Sequence, residues 1–118
     1  MSALDTLLVA AGAATGAPVR YLVNHLARER FGATPPVGTL VVNVVGSFVV
    51  GLLVGAGVGG APLALVGIGF CGALTTFSTL ALELWDAMAD DRRVEATAVV
   101  ALSLTLGIGA AWLGWAIA

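Results

Sequence analysis

The chain has 118 residues, of which 59% are hydrophobic and only 10% are charged, and its mean hydropathy is +1.04. This composition is too apolar for a soluble domain of such length. The formal net charge is −2 and lysine is absent, so the chain has no basic surface suited to nucleic acid. We therefore expect a lipid-embedded protein in which residues 1–118 form one small domain.

Four apolar segments are long enough to cross a bilayer, which takes about 20 helical residues. They cover approximately residues 4–25, 37–58, 62–88 and 94–118. The linkers between them are short, and the first segment lacks the basic start of a removable signal peptide. The sequence predicts an all-α membrane protein with four transmembrane helices.

Small residues recur at four-residue spacing in the first two segments. Gly12 and Gly16 form such a pair in the first, and Gly51 and Gly55 form one in the second. Glycines at this spacing let helix backbones approach closely. We expect these positions to be helix contacts.

Polar side chains in the first two segments are few. Asn43 and Ser47 are one turn apart and share a face of the second helix. An asparagine in lipid is costly unless paired, so Asn43 either joins two helices or donates into a pore. Arg20 and Asn24 are also one turn apart, and Arg20 is suited to reach the membrane interface.

The third segment combines glycines, which weaken a helix, with polar side chains. No charged residue occurs between Arg30 and Glu83, and glycines at positions 67, 69 and 72 precede a cluster of hydroxyls around Phe77. Such residues let a helix open, and open backbone at membrane depth is tolerated only around a site or a pore. We predict a third helix broken near residues 72–79, in a protein that moves or holds an ion. The hydroxyl residues are Thr75, Thr76, Ser78 and Thr79. Glu83 either meets water or an arginine near the membrane surface, or belongs to this site.

The positions of the arginines predict the orientation of the chain in the membrane. With four crossings, the termini and the linker at residues 55–61 share a side that has no basic residue, and all the linker arginines face the other side. Because basic loops stay cytoplasmic, we expect both termini outside a prokaryotic plasma membrane. The arginines concerned are Arg28, Arg30, Arg92 and Arg93.

Catalytic chemistry has no candidate residues in this sequence. His25 and Cys71 each occur alone, without neighbours at metal-ligand spacing, and no nucleotide loop or catalytic dyad is present. We expect a protein that is not an enzyme, in which Cys71 is a small packing residue.

Three motifs in register resemble the helix signatures of the Fluc/CrcB fluoride-channel family. They are residues 12–21 (GAATGAPVRY), 38–48 (GTLVVNVVGSF) and 69–79 (GFCGALTTFST), the last followed by Glu83. The resemblance implies an antiparallel dimer with two narrow pores. It also implies passive permeation of fluoride, which lowers cytoplasmic fluoride and its toxicity.

The resemblance further implies particular site residues. A structural Na⁺ that is not transported is held by main-chain carbonyls, which map to Gly72 and Thr75. The pore residues map to Asn43, Phe77, Ser78, Thr79 and Ser103. Arg20, Ser47, Leu80 and Glu83 are supporting positions.

This chain departs from the family pattern at Leu80, where a second phenylalanine is usual, and at Val99 and Gly107, where polar residues are common. The aromatic track that this chain contributes is then incomplete, which is not expected of a symmetric homodimer with two working pores. Together with the single orientation, this predicts an antiparallel dimer with an oppositely oriented homologous subunit, joined around Gly46 and Gly51.

Two other functions compete. A small multidrug-resistance cation/proton antiporter has the same length, but it needs an embedded acid in its first helix, where this chain has only Asp5 at the very start. A membrane scaffold without transport explains the glycines, but it leaves Asn43, Glu83 and the hydroxyl cluster unexplained.

Overall fold

The chain folds into helices joined by short turns. The structure, a computed structural model, describes residues 2–32, 35–75 and 77–118, without the side chains of residues 31, 35–37 and 77–80. The helices are α1 (Ala3–Phe31), α2 (Pro35–Gly55), α3 (Gly60–Leu74), α4 (Phe77–Ala89) and α5 (Arg93–Ile117). The described residues contain no strand, which confirms the predicted all-α class.

Three helical stretches are long and apolar enough to cross a membrane: Ala3–Arg30, Gly38–Gly55 and Arg93–Ile117. The predicted third segment is divided between α3, an apolar helix too short to cross alone, and α4. The molecule is 46 Å long, close to the thickness of about 40–45 Å of a bilayer with its headgroups. That α3 and α4 together make a fourth crossing stays a prediction.

The first helix is longer than the sequence predicted. It begins at a capping box, in which the Ser2 hydroxyl accepts from the Asp5 N–H and the Asp5 carboxylate accepts from the Ser2 N–H, both at 3.1 Å. It ends at Gly32, whose φ of 59° closes the helix in the left-handed conformation. Arg28 and Arg30 therefore lie in the last helical turn rather than in a linker, where their charge complements the helix dipole.

The third helix departs from α-helical geometry over most of its length. Leu63–Cys71 is a π-helix, between α-helical turns at Gly60–Pro62 and Gly72–Leu74. π-helical segments are usually single turns and are frequent at functional sites. The sequence predicted a loosened helix here, but not this winding.

Glycines let α1 and α3 pack backbone to backbone. A Cβ on Gly69 would lie 2.6 Å from the Val9 carbonyl oxygen, and one on Gly12 would lie 2.7 Å from the Phe70 nitrogen. Gly16 faces the Phe70 carbonyl in the same way. The predicted close contact at Gly12 and Gly16 is confirmed.

Another glycine seam joins α2 to α5. Gly51 packs against the Ala111 backbone, and a Cβ on Gly55 would lie 2.5 Å from the Trp115 carbonyl oxygen. The helix contact predicted for Gly51 and Gly55 is confirmed. Backbone of the same chain already covers Gly51, and the dimer interface predicted around Gly46 and Gly51 stays a prediction.

Large apolar side chains point outward, and small ones fill the interior. Trp85 is 71% exposed and Ile108 is 68% exposed, whereas Ala64, Ala87 and Ala96 are buried. In water this arrangement would leave an extensive apolar surface uncovered. It is the arrangement expected of helices whose outer faces meet lipid.

Candidate functional site

The chain leaves helical geometry at Thr75. Its φ of −81° and ψ of 153° are extended, so α3 ends at Leu74 and α4 begins only at Phe77. The Thr75 N–H and hydroxyl both donate to the Cys71 carbonyl oxygen at 2.9 Å. The side chain of Thr75 is thus satisfied within its own segment. The interruption predicted for residues 72–79 is present at this residue.

An open pocket of about 280 Å³ lies beside the break. We call it the break pocket; its lining residues are Gly46, Ser47, Val50, Gly67, Cys71, Gly72, Thr75 and Ala111. Gly46 packs against the Thr75 methyl group. Gly72 is exposed, and among the described residues no atom beyond its own stretch of backbone lies within 4 Å of where its Cβ would be. Backbone of the interrupted helix is therefore accessible from outside the chain.

A line of polar residues follows one face of α2. Thr39, Asn43 and Ser47 are spaced four residues apart, so they stack on one face over about 12 Å. Ser47 donates to the Asn43 carbonyl oxygen at 2.8 Å, and it also lines the break pocket. We call these three residues the α2 polar stripe.

The other end of the stripe meets a carboxylate. The Thr39 side chain is fully buried, and its hydroxyl donates to Glu83 Oε1 at 2.9 Å. Arg28 of α1 acts on the same carboxylate through its charge. Glu83 Oε2 and Asn24 Oδ1 are buried and have no hydrogen-bond partner within the described part of the chain. Buried polar atoms without a partner are costly, so they mark a place for water or a ligand.

The α5 side of the stripe carries one further donor. The Ser103 hydroxyl is buried and has no hydrogen-bond partner among the described residues. One turn later a Cβ on Gly107 would lie 3.8 Å from Ser47 Oγ, so this face of α5 looks toward the stripe. Thr105, by contrast, is exposed and donates to the Ala101 carbonyl oxygen at 2.6 Å. Ser103 is the hydroxyl of α5 that is directed inward.

The structure thus brings together part of the predicted site. Asn43, Ser47 and Thr75 lie along the stripe and the break pocket, Glu83 closes the stripe, and Ser103 faces it. The predicted roles of Phe77, Ser78, Thr79 and Leu80 depend on side chains outside the described residues, and Thr76 lies outside them entirely.

The sequence prediction missed Thr39 as a site residue. The available signal was its position one turn before Asn43 in a helix without charges. Arg20 is half-buried in α1 and forms no hydrogen bond or ion pair with a described residue.

The acid that an antiporter would need is not in the middle of α1. Asp5 is the third residue of that helix and is held in its capping box.

Comparison with known proteins gives the family. Residues 7–115 match the family described as CrcB-like protein, camphor resistance (CrcB). The chain belongs to the CrcB family. The resemblance drawn from the three sequence motifs is thereby confirmed.

Curated CrcB relatives cover nearly the whole chain. A protein of Frankia casuarinae is 44% identical over 98% of this chain and 96% of its own length. Proteins of Geobacillus kaustophilus and Shewanella amazonensis are 43% and 40% identical over 92% and 93% of this chain, and 93% and 92% of their own lengths. All three carry the name fluoride-specific ion channel, a class of transport protein and not of enzyme. With its apolar helices, this CrcB chain is a multi-pass membrane protein.

Proposed function

We propose that this chain is a subunit of a fluoride-specific channel, through which fluoride leaves the cytoplasm passively so that its toxicity falls. The observation that carries the proposal is the α2 polar stripe, which connects the break pocket with Glu83 inside an otherwise apolar bundle. The names of the curated relatives support the same function.

Fluoride is small and tightly hydrated, so a pore must replace its water with strong hydrogen-bond donors. Amide and hydroxyl groups are such donors, and Asn43 and Ser103 can supply one of each. Family resemblance adds Phe77, Ser78 and Thr79. A phenylalanine ring presents a positive edge to an anion, which Leu80 cannot do.

The second part of the proposal is a structural Na⁺ held by the carbonyls of Gly72 and Thr75. Three observations support the fit: the extended backbone at Thr75, the open space at Gly72, and the pairing of the Thr75 hydroxyl with Cys71. Neutral carbonyl oxygens suit a hard cation, and such cations take about six oxygen ligands in proteins. Two carbonyls are too few, so a second subunit would provide others. The bound ion would supply only fixed positive charge.

The third part concerns assembly. We propose an antiparallel dimer in which α3 and α4 make one crossing of each subunit. Arg28 and Arg30 at the end of α1, and Arg92 and Arg93 at the α4–α5 turn, support a single orientation with both termini outside a prokaryotic plasma membrane. A chain that inserts in one orientation can form an antiparallel dimer only with an oppositely oriented homologous subunit. The leucine at position 80 is consistent with a dimer in which the partner subunit keeps the working pore residues.

Ion flux from liposomes tests the function. The protein, with its homologous partner where required, should release fluoride from loaded vesicles under valinomycin and should not release chloride at a comparable rate. Asn43→Leu, which removes the amide donor at similar volume, should slow fluoride release strongly. Chloride release as fast as fluoride release would refute the proposal. A bacterial strain without its own exporter should regain fluoride resistance when the protein is expressed.

Exchange of the cation tests the Na⁺ site. Replacing Na⁺ with a large organic cation should reduce flux and weaken the dimer, because the carbonyls would lose their shared ligand. Thr75→Ala should have little effect, since the threonine side chain points to Cys71. Flux that does not depend on Na⁺ would show that the assignment of Gly72 and Thr75 is wrong.

Reporter fusions test the orientation. A reporter active only outside the cytoplasm should give signal when fused to the C-terminus, and a reporter active only inside should not. Equal signals would indicate dual orientation, and a homodimer would then replace the heterodimer proposed here.

A further inference from the structure

Glu83 accepts a hydrogen bond at only one of its two carboxyl oxygens. Oε1 accepts from the buried Thr39 hydroxyl at 2.9 Å. Oε2 is also buried, and no described residue donates to it. An ionised carboxylate has acceptor sites on both oxygens, whereas a carboxylic acid has one carbonyl oxygen and one O–H donor. This one-sided bonding is the pattern expected of the neutral acid.

A second buried oxygen beside the start of α2 lacks a donor. Asn24 Oδ1 packs against Gly38, and no described residue donates to it. Gly38 is the residue before Thr39, so the side chains of Asn24 and Glu83 meet α2 at adjacent residues. A proton on Glu83 Oε2 would supply the missing donor, which Asn24 Oδ1 can accept directly or through one water. One proton would thus satisfy both oxygen atoms.

The charged groups around Glu83 do not neutralise a carboxylate there. Arg28 of α1 and Asp86 of α4 act on it through charges of opposite sign. Arg28 is exposed and forms no ion pair with Glu83. α2 has no charged residue, and α5 has charge only at Arg93 and Glu95 in its first turn. A buried carboxylate without a paired cation is costly, so such groups usually keep their proton.

We propose that Glu83 is a neutral carboxylic acid that donates a hydrogen bond from Oε2 to fluoride as the ion passes this end of the α2 polar stripe. The proposal rests on the channel function proposed above. A carboxylate here would repel the anion, whereas an O–H group binds it, and hydrogen bonds to ions are roughly twice as strong as neutral ones. Between ions, Asn24 accepts the same O–H. The proton stays on Oε2, so none is carried with fluoride.

Proteins can keep a carboxylic acid neutral at physiological pH so that it donates a hydrogen bond. Such a donor favours small, strongly accepting anions, and fluoride accepts hydrogen bonds more strongly than chloride does. Glu83 would therefore contribute to selectivity for fluoride as well as to its passage.

Solid-state NMR of the full-length protein in liposomes measures the protonation of Glu83. The chain has three glutamates, at positions 29, 83 and 95, so labelling the glutamate carboxyl carbons with ¹³C gives three signals, with any partner subunit left unlabelled. Glu29 is exposed and Glu95 is bonded to Arg92, so both should be carboxylates at neutral pH and serve as references. Glu83, identified by Glu83→Gln, should have the chemical shift of a carboxylic acid. A carboxylate shift would overturn the proposal.

The same spectra test the acceptor. Asn24→Leu removes the amide oxygen at similar volume and should move the Glu83 signal, while unchanged signals from Glu29 and Glu95 would show that the fold is kept. A Glu83 signal that stays in place would show that Asn24 does not accept its proton.

Fluoride release from liposomes tests the donor. Glu83→Gln replaces the O–H with an amide N–H and should keep flux about tenfold or more above that of Glu83→Leu, which has no donor, because a hydrogen bond to an ion is lost. Glu29→Gln removes a charge at an exposed position and should not change flux. Flux of the parent should fall at alkaline pH, where Glu83 becomes a carboxylate, and flux of Glu83→Gln should not.

Two results would overturn the donor role. One is equal flux of Glu83→Gln and Glu83→Leu. The other is parent flux that stays constant while the spectra show that Glu83 loses its proton. Fluoride release by the parent would stand in both cases, so the channel function would survive. A parent that releases no fluoride would refute the channel function, and the spectra would still report the charge of Glu83.

Discussion

Two glycines of α5 differ in what surrounds them and allow the α2–α5 seam to be tested with one substitution. A Cβ on Gly114 would meet the Phe48 carbonyl oxygen and lie 2.9 Å from the Leu52 nitrogen, both backbone atoms of α2. A Cβ on Gly109 would have no neighbour within 4 Å among the described residues beyond its own helix. Gly114→Ala should therefore force the helices apart, whereas Gly109→Ala should not.

The expected free energies follow from this difference. Alanine is favoured over glycine inside a helix by up to about 1 kcal/mol, and that gain is common to both variants. Overpacking costs about 1–3 kcal/mol, and backbone atoms cannot rotate away to relieve it. Gly109→Ala should be neutral or slightly more stable than the parent. Gly114→Ala should be less stable than Gly109→Ala by about 1–3 kcal/mol.

Reversible unfolding in mixed micelles, followed by circular dichroism, measures this difference. Fluoride flux is the second readout, because α2 carries the polar stripe and α5 carries Ser103. Gly114→Ala should slow flux more than Gly109→Ala. Equal stability of the two variants would refute the backbone contact between α2 and α5.

Two further predictions concern polar side chains. Thr39→Val removes the hydrogen bond to Glu83 and should destabilise the protein by about 1–3 kcal/mol and reduce flux, whereas Thr39→Ser should retain most of both; a valine variant as stable and active as the serine variant would contradict the bond. Ser103→Ala should reduce fluoride flux, because it removes an inward donor. Thr105→Ala, on the exposed side of α5, should leave flux within about twofold of the parent, because surface substitutions usually change the free energy by about 0.5 kcal/mol or less. Equal flux of the two alanine variants in the liposome assay would remove Ser103 from the pathway.

Much of the architecture follows from the order of residues. No charged residue lies between Arg30 and Glu83, and a run of this kind is typical of helices in lipid. There a helix satisfies its own backbone hydrogen bonds. Glycine pairs at four-residue spacing indicated where α1 and α2 make close contacts, and both predictions hold. These features are local or periodic, so they are visible in one dimension.

Other features arise only from packing. Which helix each glycine pair meets was not predictable from the sequence, and the structure shows that Gly51 contacts the backbone of α5. The end of α1 was misplaced because arginines suggested a linker, whereas the first residue that breaks the helix is Gly32.

The site divides in the same way. Its composition was visible in the sequence, since Asn43, Ser47 and the hydroxyls after Gly72 are unusual in lipid. The bond between Thr39 and Glu83 joins residues 44 positions apart, and only the packing of α4 against α2 creates it. The sequence by itself therefore determined that polar groups lie at membrane depth, because polar side chains are costly in lipid and occur there mainly where they are paired or functional. The tertiary structure decided which of them meet, because hydrogen bonds between helices depend on the register at which the helices pack.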